Sequence, residues 1–595
     1  MRRPAALCCL ALTLCAPLFS QTRAGAARAA SDSPENDAVL RAMLSELRRS
    51  RQLVAYGEAP YFIELAVSDS ENLTLVSSMG AAHAPLRSRF RQLWPSIRVG
   101  SPTLDNTGYV GSDYFSGTRF DSDYIPIDND VLSLRAAIWL GLDRAYKTAV
   151  EAIGKKQAAL ASLARQDRLA DFTTTAPKVE KFRELRRGGP DEAQLAERVR
   201  LLSAAFRGRE GVLSAEAEFN WSGETFYYCN SEGTILRIPD RISLLRLRAI
   251  ASLPSGGDLY HGYQVATPES SDLPDEAALR KIAADTANEL SALVKAPVGE
   301  AYTGPVLFEA QAAAQLFAEV FGQELNPIRK PVSEAGRNVP IPMSALENKI
   351  GARVLPVWMN LRDDATRKEW NGLPLAGFYE TDLDGVQPQP VALVEKGILR
   401  NYLTTRQPVA GGAGSNGHAR LWGPFATKTA RPGTLIVETG ESVPDAQLKQ
   451  RLIELIKQQN KPFGLLVRRM DFPSLAGQNT VREMLRQLRA SGGSRLYSAP
   501  MLIFRVYPDG HEQMVRGLRF RNFGVRAFRD IVAAGNAPVV FNYAENGLPM
   551  ALTGAANFIV ACSSIAPAML FEELDLDPSS DENARPPLVP PPPVQ

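Results

Sequence analysis

Two neighbouring stretches of the chain concentrate the side chains that could do chemistry. The first, residues 372–406, carries four carboxylic acids: Glu380, Asp382, Asp384 and Glu395. The second, residues 411–420, places four polar or charged side chains among four glycines: Ser415, Asn416, His418 and Arg420. Glycine lets backbone approach backbone or ligand closely, and polar loops held by apolar strands commonly carry binding or catalytic residues. The region is therefore a candidate site; the alternative is a pair of hairpins with an ordinary solvated loop.

Histidine and cysteine are scarce, which restricts the possible metal and nucleophile chemistry. None of the four histidines belongs to a His-x-x-x-His pair, and His511-Glu512 lacks a second zinc ligand because position 515 is valine. Only His418 stands in a dense polar, glycine-rich setting. Cys229 and Cys562 are flanked by apolar, strand-like sequence, which is typical of buried, inert cysteine. No Gly-x-Ser-x-Gly elbow or phosphate-binding loop occurs in the sequence.

The elements that must position these side chains are short strands joined by tight turns. Asp384-Gly385 predicts a turn, and residues 391–394 predict a buried strand between Pro390 and Gly397. Other strands are predicted at 61–67, 73–78, 87–99, 212–219, 224–229, 235–238, 243–251, 259–266, 303–308, 355–361, 433–438, 464–469, 496–507, 513–520, 539–541, 558–561 and 569–574. Apolar periodicity and caps predict helices at 38–54, 131–166, 191–206, 275–294, 309–321, 445–458 and 525–534.

Composition is that of a globular protein. The chain has 595 residues, of which 45% are hydrophobic and 22% charged, and this length suggests two to four domains. The net charge of +2 gives no sign of a nucleic-acid partner. Residues 577–595 are rich in proline and charge, which predicts a disordered tail.

The N-terminus has the pattern of an export signal. Arg2 and Arg3 precede the apolar run 5–19, and small residues follow up to position 29. We therefore expect a secretory signal peptide at 1–29 and a periplasmic or secreted mature protein; a retained anchor is the alternative. The run is short for a membrane span, and no other uninterrupted apolar run reaches about 18 residues, so we expect no membrane span after cleavage.

Several segments, taken in order, resemble the TldD/PmbA family, also called modulators of DNA gyrase, a family of metallopeptidase-like proteins. No single segment is specific, but their order and spacing extend over nearly the whole mature chain. The matching segments are 230–234 (NSEGT), 304–310 (GPVLFEA), 382–386 (DLDGV), 394–403 (VEKGILRNYL), 415–420 (SNGHAR) and 515–520 (VRGLRF).

The resemblance implies an α+β protein of two domains that assembles as a dimer. Residues 30–299 would form an N-terminal domain of sheet and long helices, and residues 300–576 a mainly β C-terminal domain. Family members of the TldD type carry a His-Glu-x-x-x-His zinc motif on the helix after the Gly-Pro strand, with a later cysteine ligand. PmbA-type members lack these ligands and serve as partner subunits.

This sequence departs from the zinc motif and falls on the PmbA side. The two histidine positions hold Phe308 and Ala313, and only Glu309 keeps its place. Neither a phenyl ring nor a methyl group can ligate zinc, so no metal or other cofactor is expected at this helix. Cys562 lies near the region of the family's cysteine ligand without its surrounding motif. Glu309 is most simply an acid at a helix N-terminus.

Three functions stay open at this point. The first is a zinc-less subunit that binds extended or unfolded peptide, as a homodimer or in a heterodimer with a zinc-bearing relative. Its cleft would be lined by Asp382, Asp384, His418 and Arg420. The second is an active peptidase with a relocated site around His418, for which zinc would be needed if the site is metallic. The third is a non-catalytic secreted scaffold.

Overall fold

The computed structural model describes residues 36–54, 57–111, 123–162, 169–173, 178–186, 188–254, 257–334, 343–422, 427–472, 497–545 and 560–579. These residues form a mixed α+β protein, which confirms the predicted fold class. The predicted signal peptide, 1–29, lies outside them, and so does the part of the predicted tail from 580 onward. Among the helices in the described ranges, none is both long and apolar enough to cross a membrane.

The first half of the chain builds one large sheet with neighbouring strands in the order β10-β9-β8-β1-β3-β4. Strands β2, β6 and β7 pair at its margins, with β1, β3 and β9 respectively. The strands are β1 Pro60–Ser78, β2 Ala81–Ala82, β3 Leu86–Ser101, β4 Leu104–Asp105, β5 Tyr109–Val110, β6 Asp123–Ile125, β7 Glu180–Phe182, β8 Val212–Asn230, β9 Ile235–Ser252 and β10 Asp258–Thr267.

Four helices cover one face of this sheet: α1 Ala38–Ser50, α2 Val131–Ser162, α3 Glu192–Ala204 and α4 Glu276–Lys295. Successive side chains of a strand point to opposite faces of the sheet. Ile63, Leu65 and Val67 of β1 therefore share one face and pack in the core with α1 and α2. Leu73 and Leu75 continue along the same face into the core with α3 and α4. These four helices do not cover the opposite face of the sheet.

Besides three two-stranded sheets, β12 with β5, β14 with β15 and β18 with β19, the second half builds two larger sheets. One has the order β23-β22-β21-β11-β28-β24, with β25 also on β28; the other has the order β17-β16-β13-β20-β27-β26. The strands are β11 Tyr302–Phe308, β12 Val332–Ser333, β13 Met359–Asp363, β14 Glu369–Trp370, β15 Leu373–Pro374, β16 Val391–Glu395, β17 Ile398–Leu399, β18 Ala419–Trp422, β19 Lys428–Ala430, β20 Thr434–Thr439, β21 Gly464–Met470, β22 Pro500–Val506, β23 Glu512–Val515, β24 Leu518–Phe520, β25 Ile531–Ala534, β26 Val539–Glu545, β27 Val560–Ala566 and β28 Met569–Pro578.

Two helices belong to this half, α5 Ala310–Glu324 and α6 Asp445–Gln458. Nearly every residue of α5 is buried, because its alanines and phenylalanines pack in the main core with strands of both sheets. The second helix buries only a stripe, Leu448, Leu452, Ile453 and Ile456. Helix α5 is thus the centre of the second half, and α6 covers its outside.

The structure corrects several predicted elements. The predicted strands 61–67 and 73–78 are one strand, because the polar residues between them pair with β3 on one side and β8 on the other. The predicted strands of 212–229 merge into β8 in the same way, and those of 235–251 merge into β9. The predicted helix 525–534 is wrong: a 3-10 helix, Val525–Asp530, precedes strand β25, which pairs with β28. Strand β28 continues to Pro578, so the first two residues of the predicted tail, Asp577 and Pro578, belong to a strand. The domain boundaries stay a prediction.

Candidate functional site

The acidic turn of the candidate site is built by Asp382. Its Oδ1 accepts hydrogen bonds from the backbone N–H groups of Asp384 at 2.9 Å and Val386 at 2.8 Å. Its Oδ2 accepts one from Ala419 at 2.9 Å. Gly385 completes the predicted turn with a positive φ of 74°. The carboxylate therefore fastens the turn to strand β18 and brings the two polar stretches of the sequence together.

Asp384 belongs to a buried ionic cluster that joins the two halves of the chain. The ammonium of Lys428 lies 2.8 Å from Asp384 Oδ1 and 2.8 Å from Glu64 Oε2 of strand β1. Tyr228 of β8 donates its hydroxyl to the same Glu64 oxygen at 2.8 Å. All four side chains are buried, so each charge depends on the others for its stabilisation.

The pKa values of the two acids of the turn, Asp382 and Asp384, are shifted in opposite directions. Burial, followed by the neighbouring charge of Asp384, raises the pKa of Asp382. Burial acts in the same direction on Asp384, but the adjacent Lys428 ammonium outweighs it and holds the pKa of Asp384 below its usual range. At neutral pH Asp384 is therefore the charged partner of Lys428.

Arg406, which the sequence analysis missed, makes the second buried contact between the halves. Its guanidinium donates to both Glu232 oxygens, at 2.7 and 2.8 Å, and to the carbonyl of Thr173 at 2.7 Å. It also lies over the rings of Phe62 and Phe172, 5.0 and 4.0 Å from their centroids. No local sequence pattern marks this arginine, because all of these partners are distant in sequence.

His418 is fully buried and both of its ring nitrogens are engaged. Nε2 lies 2.9 Å from Asp363 Oδ1 of strand β13. Nδ1 lies 2.9 Å from the side-chain oxygen and 3.0 Å from the carbonyl oxygen of Asn416. Asp363 also accepts the backbone N–H of Gly433 at 3.0 Å. In this arrangement the histidine holds its glycine-rich loop onto β13.

Arg420 is the one residue of the four predicted for the cleft whose side chain is only partly buried. Its Nη1 donates to the carbonyl of Pro432 at 2.7 Å and lies 3.6 Å from the sulfur of Cys562. Its guanidinium carbon lies 4.3 Å from the centre of the Tyr379 ring, a cation–π distance. The prediction that Asp382, Asp384, His418 and Arg420 contact peptide stays a prediction.

Cys562 is a buried thiol beside Arg420. Burial raises its pKa to about 12, although the charge of Arg420 acts in the opposite direction. The thiolate is the reactive form of cysteine, so Cys562 is protonated and unreactive at neutral pH. Its Sγ donates toward the carbonyl of Pro432 at 3.3 Å.

The start of helix α5, where the resemblance implies zinc ligands, is packed hydrocarbon. Phe308 is fully buried and meets Phe571 edge to face, with ring centroids 5.3 Å apart. Ala313 is also buried. Glu309 stands at the helix N-cap, where its carboxylate pairs with Arg468 at 3.1 Å instead of capping. These residues do not fit a zinc ion, and the described residues contain no group of three or more His, Cys, Asp and Glu side chains placed to hold a metal.

Comparisons with known proteins give one family and one fold. Residues 301–486 match a family model described as the PmbA/TldA metallopeptidase C-terminal domain. Three solved structures share the fold: a protein of Thermotoga maritima proposed to be a modulator of a DNA gyrase, TldE of Thermococcus kodakarensis, and a protein of Bacteroides thetaiotaomicron proposed to be a modulator of DNA gyrase. No curated protein matches the chain.

The structural matches extend over almost the whole of this chain and of each matched protein. The Thermotoga protein is 14% identical with a TM-score of 0.55, covering 90% of this chain and 100% of its own. The Thermococcus protein is 13% identical with a TM-score of 0.53, covering 90% and 99%. The Bacteroides protein is 13% identical with a TM-score of 0.52, covering 92% and 99%. At such identity the likeness establishes the fold alone.

Proposed function

We propose, since the chain belongs to the TldD/PmbA family, that it is an exported, zinc-less subunit that binds extended peptide for a catalytic partner. The substrate would be an unfolded polypeptide, and the partner a relative that keeps the zinc ligands. Export is supported by the charged, apolar and small-residue order of residues 1–29.

The packing at the start of α5 carries the proposal. Hydrolysis by a zinc peptidase needs a metal-bound water, and the metal needs nitrogen, sulfur or oxygen donors. Phe308 is held among Phe520 and Phe571, and Ala313 offers only a methyl group. Glu309 has no metal-bound water to deprotonate, and its carboxylate forms an ion pair with Arg468. Buried hydrocarbon side chains, Phe308 and Ala313, thus stand at the two positions where the zinc-bearing branch would have histidine.

A relocated peptidase centre at His418 has less support. A general base must reach the proton that it removes, yet both ring nitrogens of His418 already have partners inside the protein. The thiol of Cys562 is protonated because of its burial. Either group would need the surrounding loops to open before it could act on a substrate.

Edge strands supply the proposed mode of peptide binding. Strand β23 ends the second sheet and strand β26 ends the third, with no further strand paired to them among the described residues. The outer backbone groups of such strands can pair with an extended chain, so that affinity comes from the main chain. This mode suits unfolded substrates of varied sequence.

Metal content is the first test. We expect the mature protein, purified without a histidine tag, to contain far less than one zinc per chain by elemental analysis and to hydrolyse no unfolded protein by itself. Zinc near one per chain that is lost in His418→Ala would overturn the zinc-less proposal in favour of a relocated centre.

Peptide binding is the second test. We expect a fluorescein-labelled unstructured peptide to bind the protein in an anisotropy titration, and an unlabelled peptide N-methylated at alternate residues to compete poorly, because methylation removes the N–H donors that strand pairing needs. Absence of any binding to several unfolded sequences would leave the scaffold function instead.

A further inference from the structure

Helices α1 and α2 pack against each other on one face of the first sheet. Leu40 and Leu47 of α1 share a core with Ile138 of α2, and Arg135 of α2 forms an ion pair of 2.7 Å with Glu46 of α1. Because both helices lie on the same face of the sheet, the sides that they turn away from it are neighbours on the outside of the molecule. The residue types on these two outer sides differ.

The outer side of α2 carries an apolar stripe near the start of the helix. Leu132, Ala136, Trp139 and Leu140 recur at the spacing that places residues on one side of an α-helix. All four are exposed, with Leu132 at 74%, Trp139 at 49% and Leu140 at 50%. Exposed apolar side chains grouped in this way mark a contact with another protein or with a membrane.

The outer side of α1 is basic. Arg41, Arg48 and Arg49 are exposed on the helix, and Arg51 is exposed just after it. Neither Arg41 nor Arg48 has an ion-pair partner in the part of the chain that the structure describes. The acid of this helix, Glu46, is buried on its inner side, so it does not interrupt the basic surface.

Acids at the start of α2 oppose this charge only in part. Asp128 and Asp130 are exposed there, and Asp130 accepts the backbone N–H of Ser133 at 2.8 Å. Further along the helix, Asp143 is neutralised by Lys147 at 2.7 Å. The four arginines of α1 and its end therefore outnumber the two acids, and the combined surface is apolar and cationic.

This combination fits an anionic lipid surface better than a second copy of the chain. A second copy in an isologous contact offers the same groups, so the arginines gain no counter-charge. A bilayer surface offers both requirements, an apolar boundary for the leucines and negative headgroups for the arginines. Tryptophan, here Trp139, is enriched at the boundary between membrane and water.

We propose that the outer sides of α1 and α2 form a docking surface for anionic phospholipid bilayers. Leu132, Trp139 and Leu140 enter the boundary between headgroups and acyl chains, and Arg41 and Arg48 contact lipid phosphates. The protein then lies on the membrane surface without crossing it. The contact uses neither β23 nor β26, so it is independent of the peptide binding proposed above.

Vesicle co-sedimentation tests the docking surface. The mature protein is used, because the apolar run 5–19 would bind lipid by itself. One set of vesicles is pure phosphatidylcholine, and the other contains about 30% phosphatidylglycerol to supply negative charge. We expect binding to the anionic vesicles to be at least about tenfold tighter, and to weaken as salt is added.

Two double variants remove the two parts of the surface separately. Trp139→Gln with Leu140→Gln should weaken binding to the anionic vesicles about tenfold or more, because less apolar area leaves water. Arg41→Gln with Arg48→Gln should weaken it about tenfold and leave binding to pure phosphatidylcholine unchanged. A folding defect in one variant does not decide the result, because the other tests the surface independently.

Exposed residues of the second half supply matched controls. Val357→Gln with Leu373→Gln removes apolar side chains that are 57% and 56% exposed, and Arg526→Gln with Arg529→Gln removes two exposed cations. Both controls should keep the affinity of the unaltered protein. Equal binding to both kinds of vesicle, absence of binding, or the same loss in controls and test variants would overturn the proposal.

Sedimentation velocity without lipid distinguishes a contact between copies. An assembly that Trp139→Gln with Leu140→Gln dissociates would overturn the lipid surface in favour of a second copy. The same assembly state in the variant and in the unaltered protein, together with the loss of vesicle binding, would support the lipid surface.

Discussion

At the residue scale, most of the side chains singled out in the candidate site have hydrogen-bond or ion-pair partners inside the protein. Asp382 holds a turn, His418 holds a loop, and Asp384 shares the ammonium of Lys428 with Glu64. Buried charges of this kind are stable only as complete sets, because removal of one partner leaves the others without compensation in a poorly solvated place. Chemistry-bearing residue types are therefore a poor guide to a working site unless their burial is known.

Lys428→Met tests this role. The variant leaves the carboxylates of Glu64 and Asp384 buried without their cation, which should cost about 3–5 kcal/mol and lower the Tm in a thermal denaturation experiment. Lys449→Met is the control, since Lys449 pairs with Glu512 on a half-exposed surface and should cost less than about 1 kcal/mol. Similar small losses in both variants would contradict the buried cluster.

At the element scale, the acidic turn is shaped by the strand it rests on. A Cβ at Gly385 would lie 2.9 Å from Thr234 Cγ2 and 2.9 Å from Tyr228 Cε1, on the turn and strand end of the first sheet. The turn thus has two requirements for glycine, the positive φ and the close approach. Only the first of these is visible in an Asp-Gly sequence.

Gly385→Ala separates the two requirements when compared with Gly372→Ala. Gly372 also has a positive φ, of 80°, but a Cβ there meets nothing within 4 Å. We expect Gly372→Ala to cost about 1–2 kcal/mol for the backbone conformation, and Gly385→Ala about 1–3 kcal/mol more for overpacking. Equal decreases in Tm for the two variants would show that the contact with the first sheet is loose.

At the scale of the whole molecule, the two halves are joined by buried polar contacts. Arg406 reaches Glu232, Lys428 reaches Glu64, and Tyr260 of β10 donates its hydroxyl to Asp471 at the end of β21. Such contacts are directional, so they set how the first sheet faces the second half.

The buried carboxylate of Asp471 makes the free energy of unfolding depend on pH. Burial raises the pKa of Asp471 to about 6, although the hydroxyl of Tyr260 acts in the opposite direction, whereas an unfolded aspartate titrates near 3.9. The folded state thus favours the protonated acid, so its contribution is complete below pH about 4 and is lost as pH rises to about 6. The loss amounts to about 3 kcal/mol.

Asp471→Asn removes this titration and keeps an oxygen for Tyr260. Between pH 4 and 7 we expect the Tm of the unaltered protein to fall relative to that of the variant, measured by thermal denaturation in matched buffers. Parallel Tm profiles for the two proteins across this range would contradict the raised pKa.

The sequence by itself determined the features that depend on near neighbours. Periodicity and caps located α6 to its observed ends, Asp445–Gln458, and the Asp384-Gly385 turn and the hairpin around Asp509 were predicted because turn chemistry is local. The absence of zinc donors at Phe308 and Ala313 is likewise a matter of residue type. The order of short motifs was enough to point to the family whose C-terminal domain model matches residues 301–486.

Only the tertiary structure decided features whose partners are distant in the chain. Asp69, Ser70 and Asn72 look like a turn, but pairing with β3 and β8 makes them the middle of a strand. The burial of Asp382 and His418 and the role of Arg406 likewise depend on what folds against them. A single sequence cannot supply this, because hydrogen bonding and desolvation act between residues that only the fold brings together.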